Sequence, residues 1–410
     1  MRLPVRYVSL AALLLVPLVL GPTASAQAGL EAAAVRGAVG QAPLHRIAGA
    51  LADRYIVTVK KGTDPDTVLR TVGVTPQFVY RTALNGFAAR LDEQQLRRVR
   101  AQAAVEAVET DAAAGAPRSA VPSAGGSARR AAAGTWGLDR IDQTALPLDG
   151  QFNTTHTGTG VSVYIVSSGI DFAHSEFGGR AVRGFDAMED GGDGQDCQGT
   201  GTAIAASVGG ANYGVATQAK LVSVRVTGCD NVGTDAGVIA GLDWVAKNAV
   251  KPAVVDISIS SPKSAALNAA AEAVSAAGLL PVVDAGHKAL GSADACDFSP
   301  ASAARVVVVG ASASNDDVSE VSKLGECLTF FAPGKDIVTA KLNGGTLTAT
   351  SSAFSAAFTA GVAALYLETT PAATPEDLVA WLDDNTTKGV IQGLGTNELA
   401  PDNLLYTGGL

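Results

Sequence analysis

Histidine is scarce in this chain: His45, His156, His174 and His287 are the whole supply in 410 residues. Chemistry that relies on imidazole to move protons near neutral pH therefore has few places to draw on. Cysteine is as sparse, at Cys197, Cys229, Cys296 and Cys327, with no C-x-x-C pair and no histidine close by, which argues against a zinc site. Beyond the first twenty residues no apolar run approaches the length of a membrane span, so no membrane partner is expected. Basic residues are outnumbered, giving a net charge of −9 and disfavouring nucleic acid as a partner. Polar low-complexity character is missing too: with 47% hydrophobic and 17% charged residues, the chain has enough apolar material for one large core and a smaller domain.

What is present begins with a targeting pattern. Arg2 and Arg6, an apolar run from Val8 to Leu20 and the small residues Ala24-Ser-Ala26 make residues 1–26 a secretory signal peptide, so a secreted, soluble and monomeric product is expected. Export permits disulfides, and four cysteines allow three pairings that spacing does not choose between. An Ala-rich stretch fills residues 27–50. Residues 51–111 then read as a small α+β domain of order βαββαβ, from the alternating strand Arg54–Lys60 to Val105–Val108. Ala, Ser, Gly and Pro dominate 112–134, a linker composition, and the body runs over 135–410. Charge divides along the same boundaries: +2 in the signal, +5 over 27–134 and −16 beyond, which favours association of leader and body.

In the body, strand-like runs (Ser162–Val166, Leu221–Val226, Val254–Ile259, Leu280–Val283, Val306–Val309) are nearly wholly apolar and alternate with helical segments. Continuous apolar strands imply a parallel sheet covered on both faces, a doubly wound α/β domain. Its ligand cleft belongs at the carboxyl ends of the strands, where Ser167 and the turn Asp284–His287 fall.

Three segments carry a resemblance: Val163-Tyr-Ile-Val-Ser-Ser-Gly-Ile170, Asp196-Cys-Gln-Gly-Thr-Gly-Thr-Ala203 and Thr350-Ser-Ser-Ala-Phe-Ser-Ala-Ala-Phe-Thr-Ala-Gly361. They resemble V-Y-V-I-D-T-G-I, D-C-N-G-H-G-T-H and S-G-T-S-M-A-T-P-H-V-A-G, the catalytic motifs of the subtilisin-like serine proteases in their proteinase K-like branch. Leu84-Asn-Gly-Phe-Ala-Ala-Arg-Leu91 resembles that family's inhibitor-type propeptide, a ferredoxin-like α+β unit. The resemblance implies a subtilisin-like fold and puts Ser167 at the place of the catalytic Asp, Thr200 at that of His and Ala353 at that of Ser. It puts His287 at the place of the Asn that donates to the oxyanion. It further implies disulfides Cys197–Cys229 and Cys296–Cys327, and a substrate-pairing strand at Ser258-Ile-Ser260. Thr329, in Leu328-Thr-Phe-Phe-Ala-Pro-Gly334, stands where relatives carry a calcium-binding carboxylate, so that site is expected to be lost and no cofactor is expected.

Nucleophilic catalysis by this constellation needs an activated hydroxyl, a base, and a carboxylate to orient the base. Ala353 offers no heteroatom, Thr200 cannot accept a proton near neutral pH, and Ser167 cannot orient an absent base. The expectation is a protease homologue without catalysis, a binding or decoy module for extended peptides or protease propeptides, with its own propeptide domain as first partner. The alternative is an atypical serine endopeptidase in which His287, near Asp284, activates Ser351 or Ser352. A secreted scaffold with an empty groove is the third reading. Three weaker signals read as loops: the acidic run Glu189–Asp196 as a solvated loop rather than a weak cation site, Asn153-Thr-Thr155 as a loop rather than a glycosylation acceptor, and Gly199-x-Gly201 as no dinucleotide turn.

Overall fold

In the computed structural model the described residues are 40–115 and 136–410, apart from 189, 290 and 396–398. The expected signal peptide, the Ala-rich stretch up to residue 39 and residues 116–134 of the expected linker lie outside them.

The leader domain runs through β1 (Leu44–His45), β2 (Ala50–Val59), α1 (Pro65–Val72), β3 (Phe78–Tyr80), β4 (Gly86–Arg90), α2 (Glu93–Arg100) and β5 (Val105–Gly115). Local chemistry sets both helices. Asp64 caps α1 with Pro65 at its first position, and Gly73 closes it in the left-handed region, while Asp92 and Gln95 form a reciprocal capping box on α2. The sheet order is β1-β5-β2-β4-β3, and Val57, Phe87, Val99 and Val108 pack between sheet and helices with no exposure. One boundary differs from the sequence reading: residues 112–115 are not linker but continue β5, because their alanines have a partner strand in the body. The domain also starts earlier, since β1 and the first residue of β2 lie in the stretch read as Ala-rich leader.

The body opens with α3 (Trp136–Ile141) and continues through β6 (Ser162–Ser167), β7 (Ala181–Asp186), α4 (Thr200–Gly209), β8 (Lys220–Arg225), β9 (Val232–Thr234), α5 (Asp235–Asn248) and β10 (Ala253–Ile257). There follow β11 (Ser261–Pro262), α6 (Ala265–Ala276), β12 (Leu280–Asp284), β13 (Phe298–Ser299), β14 (Val307–Ser312), β15 (Phe330–Pro333), β16 (Ile337–Ala340), β17 (Thr346–Ala349), α7 (Ser352–Thr369) and α8 (Pro375–Asn385). Seven strands form one sheet in the order β15-β14-β12-β10-β6-β8-β7, parallel at every pairing. Side chains alternate between its faces. Val163 and Ile165 join Ile204 of α4 and Phe358 of α7 in one core, whereas Tyr164 and Val166 join Ile239 of α5 and Leu267 of α6 in the other. Covered on both faces, the central strands are predominantly apolar and almost wholly buried, which is the pattern legible in the sequence. The edge strand β7 was not: Ala-Val-Arg-Gly-Phe-Asp mixes exposed and buried positions and carries a register shift between Arg183 and Phe185.

Disulfides join Cys197 to Cys229 and Cys296 to Cys327. The first anchors the segment before α4 to the loop before β9, beside the acidic run. Asp190 and Asp193 of that run are exposed, as a solvated loop requires, but Asp190 is also tied inward. The buried guanidinium of Arg225 bonds Asp186 at 3.0 Å and both carboxylate oxygens of Asp190 at 2.6 and 2.7 Å, and Asp196 is buried.

Candidate active site

Ser167 ends β6 with no exposure, and its hydroxyl has no hydrogen-bond partner. The next residue organises the region. Ser168 donates to Asp196 at 3.0 Å and accepts from the Gly201 N–H at 2.9 Å. Asp196 also gathers the N–H groups of Gln198, Gly199 and Thr202 and, at 2.6 Å, the Thr202 hydroxyl. This pulls the start of α4 against the turn after β6. A Cβ on Gly201 would lie 2.0 Å from the Gly169 carbonyl oxygen, so only glycine allows the approach. Thr200, the first residue of α4, thereby comes to the same corner as Ser167.

On the other side of the corner, Ser351 caps α7 by accepting from the Ala353 N–H at 3.2 Å, and Ser352 donates to an Asp284 carboxylate oxygen at 3.0 Å. Ala353 is buried, while Phe354 and Phe358 belong to the core and leave the groove unfilled by either ring. Asp284 is buried with its second oxygen unpartnered, and burial pushes its carboxyl up to about 6. One strand over, Asp256 is buried as well. It accepts from the Ser258 hydroxyl at 2.6 Å, its other oxygen has no partner, and burial, with the Asp284 charge adding to it, pushes it up to about 8.

His287 lies just past this pair but does not join it. Its Nδ1 accepts from the Ala289 N–H at 3.0 Å, and among the described residues no hydrogen bond links it to Ser351 or Ser352. Burial, then the charge of Lys323, lowers its pKa. Lys323 itself is buried, with Nζ 3.6 Å from the centre of the Phe298 ring and donating to the Ser292 carbonyl, and burial pushes it down to about 8. Its stem packs against Gly286, which sits at φ +87°. Asp256 and Lys323 are site residues that the motif reading passed over. Asp256 had a visible signal, a lone carboxylate inside the apolar run Val254–Ile259. Lys323 had none, since a lysine in a polar loop reads as solvated.

The groove is occupied. The end of β5 pairs antiparallel with β9, Ala113 with Thr234, Ala114 with Gly233 and Gly115 with Val232. On its other side the Gly115 N–H donates to the Ser260 carbonyl at 3.2 Å, and the Ser260 N–H donates back to Gly115 at 3.0 Å. Ser260 therefore presents its main chain to the strand, Ile259 is in the core, and Ser258 is committed to Asp256. Side chains reinforce the docking. Glu109 takes the Ser264 hydroxyl and the Ala265 N–H at the start of α6, Asp111 takes the Ala236 N–H at 3.0 Å at the start of α5, and the Tyr80 hydroxyl donates to the Ala236 carbonyl at 2.9 Å. In return Asp243 of α5 accepts the N–H groups of Arg81, Thr82 and Ala83 in the leader at 3.0, 2.6 and 2.7 Å.

The sequence profile of the Subtilase family matches residues 158–400, and that of Peptidase inhibitor I9 matches 54–114. The chain belongs to the subtilase family. Its fold is the subtilisin-like α/β fold, preceded by an I9 inhibitor domain. Among related subtilases is the extracellular serine proteinase of Thermus sp. (strain Rt41A), 41% identical over 344 residues, covering 83% of this chain and 80% of the relative. The alkaline serine exoprotease A of Vibrio alginolyticus is 37% identical over 357 residues, 83% of this chain but only 65% of the relative's length. The crystal structure of a cold adapted subtilisin-like serine proteinase superposes with a TM-score of 0.64 at 39% identity, over 67% of this chain and 98% of that one.

Remaining predicted positions have plain structural occupations in this subtilase. The Thr329 hydroxyl accepts from the Val308 N–H at 3.1 Å, and His174 lies buried between the Glu176 N–H and the Lys341 carbonyl. Asn153 is exposed, with its N–H held by Asp142 at 2.6 Å.

Proposed function

We propose that this chain is a secreted subtilase of the proteinase K-like branch that does not cut peptide bonds, and that its groove serves to hold extended peptide, with the leader tail as its resident occupant. The reading takes Ser167, Thr200, Ala353 and His287 as the vacated places of Asp, His, Ser and the oxyanion Asn, and Ser258–Ser260 as the peptide-pairing strand. One observation carries it: Gly115 exchanges both main-chain hydrogen bonds with Ser260 while none of those neighbouring side chains supplies a nucleophile joined to a base. Strand addition draws its affinity from main-chain bonds, so it survives loss of the catalytic side chains. Secretion is supported by the signal-like residues 1–26 and by the kinship to an extracellular proteinase.

The test is an intact-mass measurement on protein from a protease-free host, with a casein assay and fluorophosphonate labelling on the same sample. The expected result is leader and body in one chain, no casein turnover and no label. Discrete scission within residues 116–135, or turnover that tracks the chain through purification, overturns the reading.

The Ser352–Asp284 bond of 3.0 Å favours a second reading, an atypical serine hydrolase, more than His287 does. Fluorophosphonate labelling that survives His287→Ala and disappears in Ser352→Ala is its signature.

A further inference from the structure

The seam between leader and body is lined with carboxylates. Glu109 and Asp111 come from β5 and Asp235 from the first turn of α5, and all three are buried. Glu109 and Asp111 each face a helix N-terminus, whose N–H groups compensate part of the charge. Asp235 stands in the first turn of α5, where the helix end favours negative charge, and beside the Ser261 hydroxyl, but neither of its oxygens makes a hydrogen bond of good geometry and the side chain has no exposure. The other titratable groups facing the cluster are Tyr80 of β3 and Asp243 of α5, and the cation acting on Asp111 is Arg54 of β2. An interface whose buried acids sit together with so little positive charge is poorly suited to three ionised carboxylates.

We propose that docking of the leader domain is governed by pH, held closed in acid and loosened toward neutrality, because Asp111 and Asp235 take up protons to sit together out of water. Neither the absence of catalysis nor a foreign peptide in the groove is required for this; it goes beyond the function proposed above.

Proton linkage sets the direction. Burial pushes Asp111 up to about 6. Burial also raises Asp235 well above the ordinary carboxyl range, with the charges of Asp111 and Glu109 adding to the effect and Ser261 opposing it. When the leader leaves, Asp111 returns to water and to a value near 4, about the ordinary Asp figure, and Asp235 loses the Asp111 and Glu109 charges that help raise it. Between about pH 4 and pH 6 the docked form therefore binds more protons, so docking strengthens as pH falls through 6 and is weakest above it. Asp111 alone accounts for about a tenfold change in the docking constant between pH 5 and pH 7.5, and Asp235 adds to it.

Hydrogen exchange on the full-length chain, at about pH 5 and about pH 7.5 and corrected for intrinsic exchange chemistry, reads the opening of the seam at Gly115 and Ser260. Protection of Gly115 and Ser260 themselves, not their ratio to β6, whose global opening carries the separate pH dependence of Asp256, is expected to be about tenfold or more higher at the acidic end. Asp235→Asn is expected to raise that protection near neutrality, and Asp111→Asn to flatten the dependence. Protection that is unchanged or lower in acid overturns the proposal, as does a wild-type pH profile in both variants. The wild-type profile decides alone should either variant fail to fold.

Discussion

In the slot that holds the leader tail, recognition runs from main chain to main chain: Ala113, Ala114 and Gly115 pair with β9, and Gly115 exchanges two bonds with Ser260. In the corner where β6, β10 and β12 end, chemistry has to come from side chains, and there the polar groups are poorly matched. The Ser167 hydroxyl and one oxygen each of Asp256 and Asp284 are buried without partners. In the slot the main-chain pairing is complete, whereas in the corner polar side-chain atoms stand buried and unpaired. Main-chain bonding tolerates almost any replacement that leaves the backbone in place, whereas a nucleophile, a base and an orienting carboxylate each depend on one atom in one position.

The largest expected effect comes from rebuilding the corner. In subtilisin, itself a subtilase and the source of this magnitude, the triad is worth about 10⁶ in kcat. Ser167→Asp, Thr200→His, Ala353→Ser and His287→Asn together are expected to yield scission of the 116–135 segment and casein turnover, while Ala353→Ser alone leaves the chain whole on a mass spectrum. If the fourfold variant folds and stays inert, the corner has lost its geometry as well as its side chains.

Next in size is a pH effect on stability from the same corner. Asp256 is raised to about 8 in the folded chain, so between the ordinary carboxyl value and about 8 the folded state holds the extra proton. Stability then falls as pH rises across that window, by about 1.4 kcal/mol per unit from this group, and levels off above it. Urea unfolding at a series of pH values is expected to show that decline, and Asp256→Asn to remove its share. A wild-type slope retained in the variant would assign the titration elsewhere.

The slot has its own, smaller test. Glu109→Ala strips α6 of the carboxylate that bonds Ser264 and Ala265 and is expected to weaken leader docking by about 1–2 kcal/mol, seen as faster exchange along β5 with β6 unaffected. Smallest of all, Ser167→Ala removes a hydroxyl that has no partner and is expected to leave stability unchanged or raise it by up to about 1 kcal/mol in the same urea assay. Marked destabilisation there would mean that Ser167 is bonded in solution.

Much of the architecture was legible from residue order. The apolar strands announced a covered parallel sheet, and Asp64-Pro65 and Asp92 with Gln95 announced helix starts in the leader. The strand at Ala112–Gly115 was not, because Ala-Ala-Ala-Gly carries linker composition and is extended only through its partners β9 and Ser260. Arg225 was equally silent, since its carboxylate partners Asp186 and Asp190 lie 39 and 35 residues away in sequence.

By itself the sequence determined the periodicity of strands and helices and the side chains present at the motif positions, threonine at residue 200 and alanine at residue 353 among them. These are properties of residue type and spacing, which no packing arrangement alters. Only the tertiary structure decided that the leader tail pairs with β9 and Ser260, that Asp284 rather than His287 meets Ser352, and that Asp111 and Asp235 share one buried seam. Burial, partners and proton affinity belong to neighbours in space, and the residues concerned are brought together from far apart along the chain.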